Sequence, residues 1–388
     1  MSTHLDALER VITDVVAPAA TTIDEAGTFP SAGIKALGEA GILGLTAGTD
    51  VGGGGGGMRD AAEVVLRLAA TCGSTAMVVL MHYSATATIE AHGPKELRQA
   101  IGEGRHLSTL AFSESGSRSH FWAPVSTATP LGGTAVLDAK KSWVTSGAEA
   151  DSYVWSSKPV DQTTGPMTLW LVPSGAEGLV RDTGGFNGVG LRGNGSIPVT
   201  ADGVRVPLDA RLGADGDGLD IALTTALPWF LVLSGAFSLG VLEAVTAEAG
   251  AHLSGARLEH LGEALIHQPI PRADYARLRL MTDRVRAFLS DTLSALEASR
   301  PDAQLRVLEV KAVAGEDAAA GCDLAMRLCG GAAFRKETNI NRHHRDSLAA
   351  RVMAPTTEAL LDFVGRAVSG LPLLGPPGGS GASPGGAA

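Results

Sequence analysis

Two hydrophobic patterns follow one another along the chain and divide it into three parts. In residues 5–15, apolar side chains recur every three or four positions, which is typical of an amphipathic helix, and the same spacing returns in residues 275–289. Between these regions the apolar runs become short and are separated by glycine-rich turns, which is the pattern of β-strands. The clearest of these runs are residues 134–137, 153–155 and 167–172.

These patterns predict an α+β fold that is mainly α. We expect an N-terminal helical domain over residues 1–107, a small β-barrel over residues 108–213 and a C-terminal helical bundle over residues 214–374. Residues 375–388 contain only Gly, Pro, Ser and Ala, so we expect a disordered tail. The glycine run at residues 52–57 predicts a loop, with the next helix beginning at Met58.

Residues 221–242 contain no charged side chain, and the run is long enough to span a bilayer. Thr, Ser and Pro interrupt it, however, and no basic residues flank it. A central helix that is buried on all sides has the same pattern. We therefore predict a buried helix and no membrane partner.

Composition and charge limit the classes of function. The chain has 388 residues, of which 45% are hydrophobic and only 4% aromatic, so the core is expected to be built from Ala, Leu and Val. A formal net charge of −10 argues against nucleic acid and anionic membranes as partners. The three cysteines have no metal-ligand spacing, and the N-terminus has no secretory pattern, so a reduced, cytoplasmic setting is expected.

Two polar segments carry the candidate chemistry. Residues 110–120 read LAFSESGSRSH, and residues 140–151 read KKSWVTSGAEAD. Each lies beside a β-like run and is rich in small hydroxyl and glycine residues. Such residues allow a strand edge to approach a flat polar ring and to hydrogen-bond its rim.

The two segments resemble the sequences T-E-P-x-x-G-S-D and K-x-W-I-T-N-G-x-x-A-D of the acyl-CoA dehydrogenase family of flavoproteins. The second segment matches well, whereas the first keeps Ser113, Glu114 and Ser119 but loses the proline, the glycine and the aspartate. Further matches follow in the family's order along almost the whole chain. They are Leu191-Arg192-Gly193, Gly203-Val204-Arg205-Val206-Pro207, Cys329-Gly330-Gly331 and Arg345-Asp346.

The resemblance implies the order helices, barrel, helices, and it implies FAD as the cofactor. It also implies an acyl thioester of CoA or of a carrier protein as substrate, an electron-transfer partner or flavin reductase, and a homodimer or homotetramer. By position in the family's sequences, the candidate cofactor contacts are Ser113, Ser119, Trp143, Thr145, Arg257, Gly330, Gly331 and Thr356.

Ordinary structural roles would explain some of these candidates equally well. Taken alone, Trp143 would suit the core of a barrel. Arg257 would equally suit the solvated face of a helix, because residues 257–262 have one residue too many for the family's R-x-x-F-G pattern. Gly330 and Gly331 could present amides to a diphosphate or simply end a helix. No G-x-G-x-x-G follows a strand, so a Rossmann-type site is not predicted.

The family's catalytic base is missing. Its glutamate lies in an E-G-T sequence, and the matching text here lies in residues 353–358. Ala354 stands in place of the glutamate, and Pro355 stands in place of the glycine. Some relatives carry the glutamate on a central helix, but residues 229–232 offer no carboxylate there. Glu358 is the nearest replacement, although many helices carry a glutamate in their first turn for dipole reasons.

Two histidines are candidate substrate contacts. His82 lies on an apolar helix, where a satisfied core histidine is the common alternative, and His120 replaces the acid of the first family sequence. The adjacent His343 and His344 cannot share one helix face, so no metal site is predicted.

Three functions remain open from the sequence. The first is an FAD-dependent dehydrogenase of acyl thioesters with a displaced base. The second is a flavin monooxygenase on the same fold, in which reduced flavin activates O₂ and no α-proton is removed. The third is a non-catalytic relative that keeps only the fold.

Overall fold

The computed structural model describes residues 3–117 and 120–375. Ser119, and the predicted tail apart from Gly375, lie outside these ranges. The N-terminal part is helical, and its periodic apolar residues face a shared core. Its helices are α1 (Thr3–Val11), α2 (Ala17–Ala26), α3 (Ser31–Glu39), α4 (Met58–Thr71), α5 (Gly73–His92) and α6 (Lys95–Gly102).

The described residues of the middle part form seven strands in two sheets that enclose their own apolar core. One sheet has the order β1-β4-β5, with β1 parallel to β4, and the other has the order β2-β3-β7-β6. The predicted barrel is thus a pair of sheets, and the three predicted apolar runs lie in strands except for Met167, which directly precedes its strand. The strands are β1 (Ser108–Ala111), β2 (Thr127–Leu131), β3 (Thr134–Val144), β4 (Ser152–Ser157), β5 (Thr168–Pro173), β6 (Leu179–Arg181) and β7 (Ile197–Pro207).

The C-terminal part returns to helices, with one short hairpin between the first two long ones. A single turn of π-helix at Ala222–Ala226, which we call the π-turn, joins α7 to α8. The elements are α7 (Gly218–Ile221), α8 (Leu227–Gly255), β8 (Arg257–Leu258), β9 (Glu263–Ala264), α9 (Pro269–Glu297), α10 (Ala303–Cys329), α11 (Gly331–Phe334), α12 (Ile340–Ser347), α13 (Ala349–Val352) and α14 (Thr357–Val368).

Helix α8 lies at the centre of the molecule and packs against α4, α9 and α10. A side chain at Gly240 would collide with the Leu66 carbonyl of α4, so glycine permits this close approach. The helical stretch Gly218–Gly255 is long and apolar enough to cross a membrane, but 83% of its most apolar window is buried inside the protein. The burial agrees with the predicted core helix.

The main sequence predictions of the fold are confirmed. Helices precede and follow the strands, the glycine run forms a loop, and α4 begins at Met58. The predicted stripe in α9 is buried at Leu278, Val285 and Leu289. This arrangement brings the sheets, α5, α8 and the segment before α14 around one cavity.

Candidate active site

A cavity of about 1270 Å³ opens between the sheets and the helices. Its two sides differ in chemistry. The strand wall carries hydroxyl and amide side chains, whereas the side chains of the helical wall are mostly apolar. The helical wall is formed by α5, the π-turn, α8 and the segment before α14. The strand wall includes Ser113, Ser115, Ser142, Trp143, Thr145, Asn194 and Ser196, and the helical wall includes Met81, Ala222, Ala226, Leu227, Phe230, Ala349, Met353, Ala354 and Pro355.

The two polar segments of the sequence lie side by side at the strand wall. Glu114 and Lys141 form an antiparallel bridge. The amide of Ser142 donates to the carbonyl of Ser113 at 3.0 Å, and the amide of Ser115 donates to the carbonyl of Lys140 at 3.0 Å. These backbone contacts place the serines of the first segment next to Trp143 and Thr145 of the second.

A buried ion pair joins the same two segments. Lys141 Nζ donates to Glu114 Oε1 at 2.5 Å, to the carbonyl of Ser156 at 2.7 Å and to its hydroxyl at 2.9 Å. Glu114 also accepts from the amides of Val125 and Ser126 and from the Ser126 hydroxyl. Every hydrogen of the ammonium group therefore has an acceptor, and both carboxylate oxygens are occupied.

Burial and the contact between the two charges shift the pKa values of both side chains. Burial alone would raise the pKa of Glu114, but the charge of Lys141 and the donated hydrogen bonds outweigh it and hold that pKa below its usual value. Burial lowers the pKa of Lys141 to about 8, against the opposing attraction of Glu114. Sequence analysis did not assign a role to this pair, although both residues lie in the two family-like segments.

Backbone strain is concentrated at the strand wall. Trp143, Ser146 and Leu191 have φ values of 56°, 55° and 52°, in the left-handed region that non-glycine residues rarely adopt. The indole of Trp143 is 67% exposed and makes a T-shaped contact with the ring of Phe186, with ring centroids 6.0 Å apart. The structure thus holds a large apolar ring at the cavity surface in a strained backbone conformation, which excludes the alternative that Trp143 is a core residue.

The hydroxyl groups of this wall have few partners within the protein. Thr145 Oγ1 lies 3.2 Å from Ser196 Oγ, and the amide of Ser196 donates to Asn194 Oδ1 at 3.0 Å. Ser113 contributes its backbone carbonyl to the bridge between the segments, while its side chain lines the cavity. Of the predicted cofactor contacts, Ser113, Trp143, Thr145 and Thr356 all line the cavity.

The described residues of the helical wall include no titratable side chain. Ala354 lies in the cavity at the position of the family's glutamate, and Phe230 lies there from the alternative position on the central helix. The sequence prediction that both base positions are empty therefore holds in three dimensions. No described side chain of this wall can accept a proton from a ligand.

Lys311 lies directly behind this wall. Its Nζ donates to the carbonyls of Ala350, Met353 and Pro355 at 2.7, 3.0 and 2.8 Å. It lies 5.9 Å from the centroid of the Phe230 ring, and burial lowers its pKa to about 7. These three bonds hold the 350–355 segment, including Ala354, against the cavity.

His82 has a structural position instead of the predicted contact with substrate. Its ring is fully buried outside the cavity lining, Nδ1 accepts from the amide of Ser108 at 3.1 Å, and Nε2 lies 3.0 Å from the carbonyl of Leu43. An acceptor at Nδ1 requires the proton on Nε2, so the ring is neutral. Burial also lowers the pKa of His82, to about 4. His82 is therefore a core histidine with a hydrogen-bond partner at each ring nitrogen, which was the alternative to a contact with substrate.

Five further candidate residues lie outside the cavity of the single chain. His120 is exposed and contacts the carbonyl of Ser117, and Glu358 is exposed in the first turn of α14. Neither lines the cavity of the single chain, so the predicted contact of His120 with substrate and the predicted catalytic role of Glu358 stay predictions. Arg257 donates to the carbonyl of Gly262 within the β8–β9 hairpin. The pair Gly330-Gly331 is exposed between α10 and α11, where Gly330 ends α10 with a positive φ, as the helix-cap alternative expects.

Comparison with known proteins agrees with this arrangement. The family model of the acyl-CoA dehydrogenase N-terminal domain matches residues 3–103, and that of the acyl-CoA dehydrogenase C-terminal domain matches residues 216–369. Together these matches cover more than half of the chain.

Individual relatives cover almost the whole chain at low identity. A probable acyl-CoA dehydrogenase of Bacillus subtilis, YngJ, is 23% identical over 88% of this chain and 91% of its own length. The butyryl-CoA dehydrogenase structure from Megasphaera elsdenii superposes with a TM-score of 0.88 at 21% identity, covering 95% of this chain and 98% of that one. The prolyl acyl carrier protein oxidase AnaB superposes with a TM-score of 0.85 at 18% identity, covering 95% and 99%. On the two family matches, this chain belongs to the acyl-CoA dehydrogenase family, whose members are FAD-binding flavoproteins.

Proposed function

We propose that this chain is an FAD-dependent dehydrogenase that oxidises the α,β carbon–carbon bond of an acyl thioester carried on CoA or on a carrier protein. The observation that supports it is the two-sided cavity of about 1270 Å³. Pockets for a single drug-sized ligand occupy roughly 300–1000 Å³. The larger volume accommodates a flat cofactor against the strand wall and an acyl group against the helical wall.

The strand wall suits the isoalloxazine ring of FAD. Trp143 presents an exposed aromatic surface, and the hydroxyls of Ser113 and Thr145 can hydrogen-bond the polar edge of the ring. Thr356, at the N-cap of α14, would approach from the opposite side. Bound FAD supplies the two-electron acceptor, and the residues named here position the ring and exclude water from one face.

The proton is handled differently from the hydride. Dehydrogenation removes a hydride from the β-carbon and a proton from the α-carbon, and Ala354 cannot accept that proton. We infer that the proton passes to water, so turnover is slow unless the substrate is itself acidified at the α-carbon. Absence of a general base typically costs about 10²–10⁴ in rate.

Anaerobic reduction of the holoprotein tests this proposal. The purified protein with FAD is mixed with a panel of acyl thioesters, and the loss of the flavin absorbance is followed without oxygen. We expect slow bleaching by the wild type and bleaching at least about tenfold faster in Ala354→Glu, because the variant restores a base where the family has one. Ala349→Glu adds the same charge elsewhere on this wall and should give no gain. Absence of bleaching in both the wild type and Ala354→Glu would refute the proposal.

A flavin monooxygenase is the second candidate, and the lack of a proton acceptor on the helical wall favours it. Such an enzyme removes no α-proton, so an apolar wall without a base would suffice. It predicts product only with O₂ and a separate flavin reductase, and no bleaching of oxidised flavin by any thioester. Anaerobic turnover would exclude it.

We also propose that the chain forms a homo-oligomer. Arg257 and the Gly330-Gly331 pair lie outside the cavity of the single chain, and exposed apolar side chains flank them. Phe334 is 80% exposed beside the glycine pair, and Leu261 lies beside Arg257 at 51% exposure. A dimer or larger species by light scattering, dissociated by Phe334→Glu, would support this assembly, and a monodisperse monomer would contradict it.

A further inference from the structure

We infer that the cavity selects acyl groups that are uncharged, free of hydrogen-bonding groups and wider than a straight chain. This inference rests on the proposed function and specifies its substrate class. It concerns an apolar part of the cavity lining, which we call the acyl chamber. The chamber is lined by Met81, Phe121, Ala222, Ala226, Phe230 and Ala354.

The side chains of the chamber are apolar. Five of its six side chains are buried, Ala354 being partly exposed, and none carries a nitrogen or oxygen atom. The titratable residues among the described cavity lining are Glu114 and Asp182, and both belong to the strand part of the protein. Glu114 is already saturated by Lys141 and by three hydrogen bonds. A charged acyl group would therefore lose its hydration and find no partner in the chamber.

A row of aromatic rings packs around Phe121 of the chamber. Phe112 stacks on Phe121 at 6.5 Å, Phe121 meets Trp122 edge-on at 5.3 Å, and Trp122 contacts Phe363 of α14 at 5.2 Å. The row begins in the segment where the sequence departs from the family's first signature. Of these four rings, Phe112 and Phe121 line the cavity, and neither phenylalanine side chain can form a hydrogen bond with a polar acyl group.

Small residues give the chamber its width. Ala222, Ala226 and Phe230 are spaced four apart, so they share one face of the helix through the π-turn. The two alanines on this face, together with Ala354, leave space in the cavity that larger side chains would fill. Thr224, on the same turn, is exposed and points away from the cavity.

Matched pairs of thioesters separate charge from shape. Prolyl and cyclopentanecarbonyl thioesters share a five-membered ring but differ in the charged amine, and glutaryl and 5-methylhexanoyl thioesters share a branched end but differ in the carboxylate. Binding to the oxidised holoprotein is measured by calorimetry and by the shift of the visible flavin spectrum. We expect each charged member to bind at least about a hundredfold more weakly than its uncharged partner.

Variants on the π-turn test the width. Ala226→Leu should weaken cyclopentanecarbonyl binding by about tenfold or more, because misplaced methyl groups have this effect in an apolar pocket, and it should weaken butyryl binding much less. Thr224→Leu adds the same side chain outside the chamber and should change neither. If Ala226→Leu weakened the binding of both thioesters equally, the inference that this face sets the width of the chamber would be overturned.

Failure of this inference can be told from failure of the proposed function. If the charged thioesters bind as well as their uncharged partners, the chamber does not select by charge, while a thioester site remains. If no thioester binds to protein that retains FAD, the proposed function fails and the inference fails with it.

Discussion

Removal of one member of the Glu114–Lys141 pair should destabilise the protein far more than removal of both. The side chains are 3% and 0% exposed, so neither charge can be rehydrated without local unfolding. Lys141→Met leaves a buried carboxylate that keeps only neutral donors, namely two amides and a hydroxyl. A buried charge stripped of its partner typically costs about 3–5 kcal/mol.

The double variant Glu114→Gln, Lys141→Met removes both charges and keeps an amide oxygen for the donors of Val125 and Ser126. We expect it to be more stable than Lys141→Met alone, with a coupling energy of about 1–3 kcal/mol between the two sites. The free energies come from urea unfolding of the four proteins of the cycle, followed by tryptophan fluorescence. Trp155 is a suitable reporter, because Lys141 Nζ lies 5.1 Å from its ring centroid.

Additive free energies in this cycle would refute the reasoning, because they would mean that the two charges do not stabilise each other. The FAD content of each variant gives a second reading. Since the pair joins the two segments that carry Ser113 and Trp143, Lys141→Met should also lose FAD, while the double variant should regain part of it. Unchanged FAD content in Lys141→Met would show that the ion pair does not position the strand wall.

Three other changes test other parts of the site. Lys311→Met leaves three carbonyls without the donor that Nζ supplies. Urea unfolding should show a free energy of unfolding lower by on the order of 3 kcal/mol or more, and Lys311→Arg should lose less. A Lys311→Met variant as stable as the wild type would contradict the role of Lys311. Trp143→Ala removes the exposed ring, so fluorescence titration should show FAD binding weaker by about two- to tenfold at little cost in stability. Because burial lowers the pKa of His82 to about 4, its neutral ring contributes stability that is lost as the pH falls from its unfolded value of 6.5 towards 4. The melting temperature of His82→Gln should therefore fall less steeply over that range, and parallel slopes would count against the neutral, buried ring.

The order of the elements could be predicted from the sequence because it depends on local periodicity. The strand runs and the stripe in α9 bury one face, and a repeat of two or of three to four positions reports that face directly. The loop at residues 52–57 followed from glycine alone. Resemblance to the family then placed Ser113, Trp143 and Thr145 at one cavity, where the structure has them.

The partners of buried polar residues could not be predicted, because they come from distant parts of the chain. His82 bonds to Leu43 and Ser108, which lie 39 and 26 positions away, and no local pattern indicates them. Lys311 likewise bonds to carbonyls 39 to 44 positions further on. Backbone acceptors have no side-chain signature, so the sequence shows a polar residue on an apolar face but not how it is satisfied.

The departures from the family's sequence are distributed unevenly around the cavity, and this distribution bears on the choice between the functions. Ser113, Trp143 and Thr145 keep the family's pattern, and all three lie on the strand wall. Ala354 and Phe230 depart from it, and both lie on the helical wall. A chain that kept only the fold would have no physical reason to hold Trp143 exposed at a φ of 56°, since an unused strained residue costs stability without benefit. The retained wall therefore agrees with flavin binding, and under the proposed function the altered wall would change the substrate and the fate of its proton.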